Sequence, residues 1–383
     1  MPASTQASPS ILVLTTSVGN SHMRAAQALC AAAERWFPGV RCELFDLISL
    51  AGPFFKFAYA DSYVTVTSRF PSFWSFLYRG TDRRSGSTAA MRLRALYERW
   101  ELRKLPAVIS AAAPDAIICT HFMAAEILAH YVRRGTLSIP VFVQVTDYDC
   151  HGLWIQPELA GFFVASDEVK ARMIEKGVPA AKIRVTGIPV MPAFSDDLPR
   201  DACAAELGIA PSRTTVFLMA GGAGVSPLDA VCERIIALGR GAQLIAVAGR
   251  NTQLHERLGK LARETNGLVV PVGFSTTIER LMSAADFAVT KPGGLSVTEC
   301  LARHLPMVFY DAIPGQEERN AEYMLEQGAA LKASDMGGLL YRVDSLLANP
   351  GRVEAMRADA ARLARPFAAR DVLDAVLGHG AAG

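Results

Sequence analysis

A chain of 383 residues with a 51% hydrophobic fraction is long enough to bury two cores. Charged residues make up 20% and the formal net charge is only +2, which excludes a nucleic-acid binder that works through a large basic excess. No apolar run reaches the roughly eighteen residues that a membrane-spanning helix needs.

The opening residues 1–10, MPASTQASPS, are small and polar without a basic flank, and are expected to be a disordered lead rather than a signal peptide. Next comes ILVLTTS (11–17), a short apolar run that reads as a buried strand. A helix over about 21–36 follows it. His22 closes this strand–turn–helix unit, at the end of the strand where open α/β sheets bind ligands. An imidazole there suits a general base near neutral pH. The alternative is a helix-terminal histidine that only hydrogen-bonds its neighbours. RCELFDL (41–47) is a second strand.

Between Leu50 and Lys104 the pattern changes. Aromatic residues from Phe54 to Tyr78 are followed by a basic run that includes Arg83, Arg84, Arg92 and Arg94. Rings beside cations match an interfacial membrane element that meets anionic lipid. The alternative is a helical insertion with a solvated basic face. Strands resume with DAIICTH (115–121), PVFVQVTD (140–147), GFFVAS and KIRVTG. A polar, proline-bearing stretch after Met191, PAFSDDLPRD, suits an interdomain linker.

The alternation then restarts with TTVFLMA, QLIAVAG, GLVVPVG, DFAVT and PMVFYD. Continuous apolar strands separated by helices predict parallel sheets covered on both faces. Two such series predict two Rossmann-like domains facing a central cleft. The first spans 11–192 and carries the aromatic and basic insertion, and the second spans 201–365. Residues 366–383 are expected to return as helix to the first domain. Gly221 and Gly222, after TTVFLMA, let the backbone approach a ligand closely, or serve as a tight packing turn. Arg250 can reach a nucleotide or form a surface ion pair.

The densest stretch is TKPGGLSVTECLARHLPMVFYDAIPGQEERNA. Pro292, Gly293 and Gly294 form a turn that opens a helix over about 296–303, with Ser296 in its first turn. Unpaired N–H groups and the positive end of the dipole make that a site for phosphate. Glu299, Gln316, Glu317 and Asn320 supply groups that hydrogen-bond hydroxyls, although Asn320 can instead cap a helix. A diphosphate cradle beside acids and amides suggests a nucleotide-sugar site. The seven cysteines are scattered without a C-x-x-C pair, and read as small core residues in a reducing cytosol rather than a disulfide or zinc framework. Ser-His-Asp, HExxH, Walker A and kinase signatures are absent from the sequence.

KPGG, Glu299 and PGQEERNA together resemble the donor-binding region of glycosyltransferase family 28. The nearest branch is the diacylglycerol glucosyltransferases and monogalactosyldiacylglycerol synthases. The resemblance runs from about Ile11 to about Val376. It implies an α/β GT-B fold and an inverting enzyme that uses UDP-glucose or UDP-galactose as co-substrate, with a diacylglycerol-type lipid as acceptor. It implies that His22 is the base, in a turn where Ser21 replaces the family's glycine. It implies that Phe274 lies where backbone groups hold the uracil, and that Glu299 takes the ribose hydroxyls and Gln316 and Glu317 the sugar. The segment TDYDCHGLW is similar to a family motif near the acceptor entrance, which makes Asp147 an orienting group and places His151 and Trp154 on the acceptor path. For Asp147 the alternative is a cap after the strand.

Asp147-Tyr148-Asp149 is also a D-x-D string, which in another glycosyltransferase fold holds a divalent metal. The donor signals all lie in the second domain, so no metal and no other cofactor is expected. The expected location is cytoplasmic, peripheral on the inner face of the cell membrane, with no nucleic-acid partner. Two rival functions remain at this point. One is a GlcNAc transferase on a polyprenyl-linked cell-wall precursor. The other is a peripheral membrane protein that senses UDP-sugar without turnover.

Overall fold

The structure is a computed structural model, and it describes residues 8–56, 89–219, 227–313 and 315–380. Residues up to Pro192, together with those from Pro366 onward, form one compact unit, and Ala193–Arg365 form a second.

In unit 1 the described elements run β1 (Ser10–Thr15), α1 (Asn20–Trp36), β2 (Arg41–Asp46), α2 (Pro53–Lys56), α3 (Ala89–Glu101), α4 (Leu105–Ala112), β3 (Ala116–Cys119), α5 (Phe122–Arg133), β4 (Val141–Gln144), β5 (Gly161–Val164), α6 (Asp167–Glu175) and β6 (Ile183–Val185). The strands pair in parallel in the order β2-β1-β3-β4-β5-β6. All six residues of β1 are buried, as expected of a strand covered on both faces. Its side chains alternate between two cores. Leu12 and Leu14 join Ile117, Met123 and Leu128 in one. Ile11 and Val13 join Leu29, Ala32, Val372 and Leu373 in the other. The second of these cores is completed by the last helix of the chain.

Unit 2 contains α7 (Arg200–Glu206), β7 (Thr215–Met219), α8 (Leu228–Ile236), β8 (Gln243–Val247), α9 (Thr252–Glu264), β9 (Val269–Val272), α10 (Ile278–Ser283), β10 (Phe287–Thr290), α11 (Gly294–Ala302), β11 (Met307–Phe309), α12 (Gln316–Glu326), β12 (Ala330–Lys332), α13 (Met336–Ala348) and α14 (Pro350–Leu363). The parallel order is β12-β11-β10-β7-β8-β9. The chain then re-enters unit 1 as α15 (Ala368–Gly380), which packs along α1. The all-parallel α/β architecture expected of a GT-B chain is what the two sheets show.

Each sheet reverses direction of growth at one point, and ligands bind outside the strand ends there. In unit 1 that point lies between β1 and β3, with Leu14 opposite Cys119. In unit 2 it lies between β7 and β10, with Met219 opposite Thr290.

The stretch expected to be a polar linker is bound to unit 2. Phe194 is fully buried, and the Arg303 guanidinium donates to the carbonyls of Phe194, Asp196 and Leu198. A buried ring and three hydrogen bonds from one guanidinium hold it there.

Candidate active site

In unit 1 the site begins at the switch point. Strand β1 ends at Thr15, and the chain turns at Gly19, whose φ of 88° belongs to the left-handed region. His22 follows in the first turn of α1. Its Nδ1 lies 2.8 Å from the Thr120 carbonyl and 2.9 Å from the Thr146 hydroxyl. Thr120 follows β3 and Thr146 follows β4, so three strand ends hold one imidazole. The Thr120 hydroxyl also donates to the His22 carbonyl at 3.1 Å. Among the described residues nothing hydrogen-bonds Nε2. A Cβ added at Gly19 would stand 3.3 Å from Cδ2 of the ring and 3.8 Å from Nε2, so the glycine keeps that edge of the ring uncovered.

Burial strips hydration from the imidazolium and brings the His22 pKa down to about 4, against the opposing pull of the Thr120 carbonyl. The ring is therefore neutral at pH 7. His121 packs edge-on against it, with ring centroids 4.6 Å apart. Burial first, then His22 and Arg94, also push the His121 pKa well down. The His121 Nδ1 accepts from the Met123 N–H and caps α5. Trp154 is buried with its ring 6.1 Å from that of His22. Its 3₁₀ turn, Gly152–Trp154, is capped by His151, whose Nδ1 accepts from the Leu153 N–H. His151 is thus a buried capping residue behind Trp154.

Asp147 is half-buried in the bend after β4, next to Thr146. Asp149 is buried and pairs with Arg172 at 3.0 Å, and Arg172 also pairs with Glu168. The second acid of the D-x-D string is thus held by a guanidinium. Among the described residues no three metal-ligating side chains cluster.

In unit 2 the structure brings the KPGG and PGQEERN segments together. Helix α11 begins at Gly294, two residues earlier than expected, with Gly293 as its N-cap. Gly293 is extended (φ −69°, ψ 137°), so the glycine serves space rather than a special turn. The amides of Gly294, Leu295 and Ser296 precede the first internal bond, from Val297 N–H to the Gly293 carbonyl at 3.0 Å. Pro292 is fixed from behind by Asn320, which is fully buried inside α12 and donates to the Pro292 carbonyl at 3.1 Å. Glu317 accepts from the Ile313 N–H through Oε2 at 2.7 Å, while its Oε1 would stand 3.8 Å from a Cβ on Gly293. Gln316 opens α12, and Glu318 reaches back to the Gly315 N–H at 3.1 Å. Glu299 is buried one turn into α11. Lys291 pairs with Asp311 at 2.8 Å across the ends of β10 and β11.

Arg250 and Phe274, which follow β8 and β9, meet each other. The guanidinium lies 5.0 Å from the centre of the exposed ring. Gly221 and Gly222 lie outside the described residues, as do Arg83 and Arg84. Arg92 is exposed on α3. Arg94, on the same helix, is half-buried. Its charge faces Glu126 at 2.6 Å and Glu98 at 3.4 Å, because a buried carboxylate one turn along needs a cation. Its guanidinium is thus engaged by those two acids. The exposed apolar groups here are instead Phe54, Leu93, Leu96 and Trp100.

Thr120, His121 and Thr146 were not singled out from the sequence. The one available signal was a polar residue at the end of each apolar strand, in CTH and VTD.

A family model described as monogalactosyldiacylglycerol (MGDG) synthase matches residues 22–190. A processive diacylglycerol beta-glucosyltransferase of Bacillus subtilis (strain 168) is 29% identical over 349 residues, covering 91% of this chain and 89% of that protein. Over most of its length the chain is similar to this diacylglycerol glucosyltransferase. The resemblance carried by KPGG and PGQEERNA therefore extends over most of its length. Among solved structures, the fold matches Phytolacca americana UGT2 complexed with UDP-2fluoro-glucose and pterostilbene, with a TM-score of 0.65 at 13% identity over 97% of this chain and 100% of that one. It also matches Acinetobacter baumannii MurG, with a TM-score of 0.60 at 14% identity over 97% and 99%. At such identities the likeness concerns the fold.

Proposed function

We propose that this chain is a hexosyltransferase that moves a hexose from a UDP-sugar to the hydroxyl of a diacylglycerol-type lipid, with inversion and without a metal. The observation that carries this reading is the neutral His22 imidazole, anchored at Nδ1 by two strand ends while Nε2 has no hydrogen-bond partner among the described residues. In this mechanism Nε2 takes the proton of the acceptor hydroxyl. The oxygen attacks the anomeric carbon from the face opposite UDP, so one displacement inverts the configuration. The departing diphosphate is met by the first amides of α11 and the dipole behind them, which stabilise its charge without a cation. Glu317 and Gln316 face the sugar hydroxyls and Glu299 the ribose, while Asn320 holds the Pro292 turn in shape. Arg250 and Phe274 flank the nucleotide.

The relative named above is a glucosyltransferase, and the matching family description names a galactolipid synthase. Both names support a lipid acceptor, and between them they leave glucose and galactose as the donors to compare. No helix among the described residues is long and apolar enough to cross a membrane. The lipid is then reached from the surface, by the exposed Phe54, Leu93, Leu96 and Trp100.

The test is incubation of the chain with vesicles of diacylglycerol and anionic lipid and a panel of UDP-sugars, with lipid products read by mass. A hexosyl-diacylglycerol from UDP-glucose or UDP-galactose is expected. Transfer of N-acetylglucosamine to a polyprenyl-linked acceptor instead, or UDP-sugar binding without any product, would overturn the proposal.

A further inference from the structure

We propose that Cys30 and Cys42 form a redox-responsive dithiol that closes to an intramolecular disulfide when a small-molecule disulfide is presented. Cys30 lies on α1, and Cys42 lies on β2, the edge strand of its sheet, where it pairs with Ile11. Their sulfur atoms are 3.3 Å apart. They are also the two cysteines that are only half-buried, whereas Cys119, Cys150, Cys203, Cys232 and Cys300 are buried. Contact and access therefore coincide at one pair. A disulfide requires an S–S distance of about 2.05 Å, so small side-chain rotations must close a gap of about 1.3 Å. An edge strand allows such adjustment more readily than a sheet interior does.

Either sulfur can donate across this contact. With Cys42 as the donor, thiolate is favoured at Cys30 against the opposing effects of burial and Glu34. The same bond, with burial, Cys30, Glu34 and Glu43, holds the Cys42 proton in place. Cys30 is then the attacking sulfur. Its thiolate attacks one sulfur of the small disulfide, forming a mixed disulfide and releasing one small thiol. Cys42 then attacks the Cys30 sulfur, its proton passing to the second departing thiolate. Two protein thiols are oxidised, and one small disulfide is reduced to two thiols. The bond would tether the second half of α1, the helix that carries His22 in its first turn, to the sheet edge.

The experiment uses the full native chain with oxidised glutathione, followed by alkylation and peptide mapping without reduction. The expected product has lost two hydrogen atoms, carries a Cys30–Cys42 cross-linked peptide pair, leaves the other five thiols unmodified, and reverts with dithiothreitol. In Cys42→Ser the expected product is glutathione retained on Cys30. A wild-type chain that keeps glutathione on either cysteine, forms bonds between chains, or stays reduced while a peptide dithiol control in the same tube is oxidised would overturn the proposal. The wild-type result decides, so a poorly folding variant does not obscure it.

Discussion

Burial and two hydrogen bonds at Nδ1 fix the His22 imidazole as a neutral ring with its other nitrogen exposed to reaction. If Nε2 is the base, His22→Ala should lower turnover by about 10²- to 10⁴-fold, the usual range for losing acid–base catalysis. UDP affinity, read by calorimetry, should be unchanged, because the proposed diphosphate cradle belongs to unit 2. Near-normal turnover would remove His22 from the mechanism. The pH dependence follows from the same burial. A histidine whose pKa is depressed to about 4 is fully neutral above pH 6, and loses its base function only as pH falls through about 4. The acid limb of kcat/KM should therefore lie near pH 4, with a flat profile from about pH 6 to 8. An acid limb near pH 6.5 would mean that the ring is hydrated in solution.

At the scale of elements, α3 carries two separable features. One is Glu98, which is 2% exposed, with Oε1 3.4 Å from Arg94 and neither oxygen hydrogen-bonded. Burial raises its pKa from 4.5 to about 7, with Arg94 opposing and Glu126 adding to the shift. The folded state thus holds this proton more tightly than the unfolded chain. Stability from the group is present below pH 4.5 and is lost as pH rises through about 7. Glu98→Gln should raise stability at pH 8 by up to about 3 kcal/mol and change little near pH 4, as measured by thermal unfolding at both values. A loss of stability at pH 8 would mean that the ion pair with Arg94 outweighs the burial of the charge. The other feature is the exposed apolar set on the same helix. Leu93, Leu96 and Trp100 changed together to Ser should reduce co-sedimentation with anionic vesicles at least several-fold while leaving UDP binding intact. Unchanged sedimentation would place the lipid contact elsewhere.

The elements themselves were legible. Buried strands such as ILVLT and FAVT show as continuous apolar runs, and KPGG announces the start of α11. The sequence suggests that this helix starts near Ser296, two residues late, because Gly293 looks like part of a turn and is already the cap. Contacts between distant segments were not legible. Thr120 and Thr146 reach His22 across 98 and 124 residues, a proximity set by the order β1-β3-β4 and not by any spacing. Arg94 read as one more cation in a basic run, and only the packing of α3 near α5 reveals Glu126 as its partner. Cys30 and Cys42 meet for the same reason, since an α1–β2 connection folds them side by side.

For the whole molecule, the two sheets divide the chemistry. Unit 1 offers a neutral base at its switch point, and unit 2 offers a helix N-terminus with bare glycines and acids facing it. In the proposed mechanism the diphosphate is met by helix amides rather than a cation, and a single displacement inverts the sugar. The direct measurement is the proton NMR spectrum of the glycolipid formed from an α-linked UDP-hexose and diacylglycerol in the presence of excess chelator. The account predicts a β-linked hexosyl-diacylglycerol, formed as readily with chelator as without. An α-linked product, or product that appears only when magnesium or manganese is restored, would contradict it.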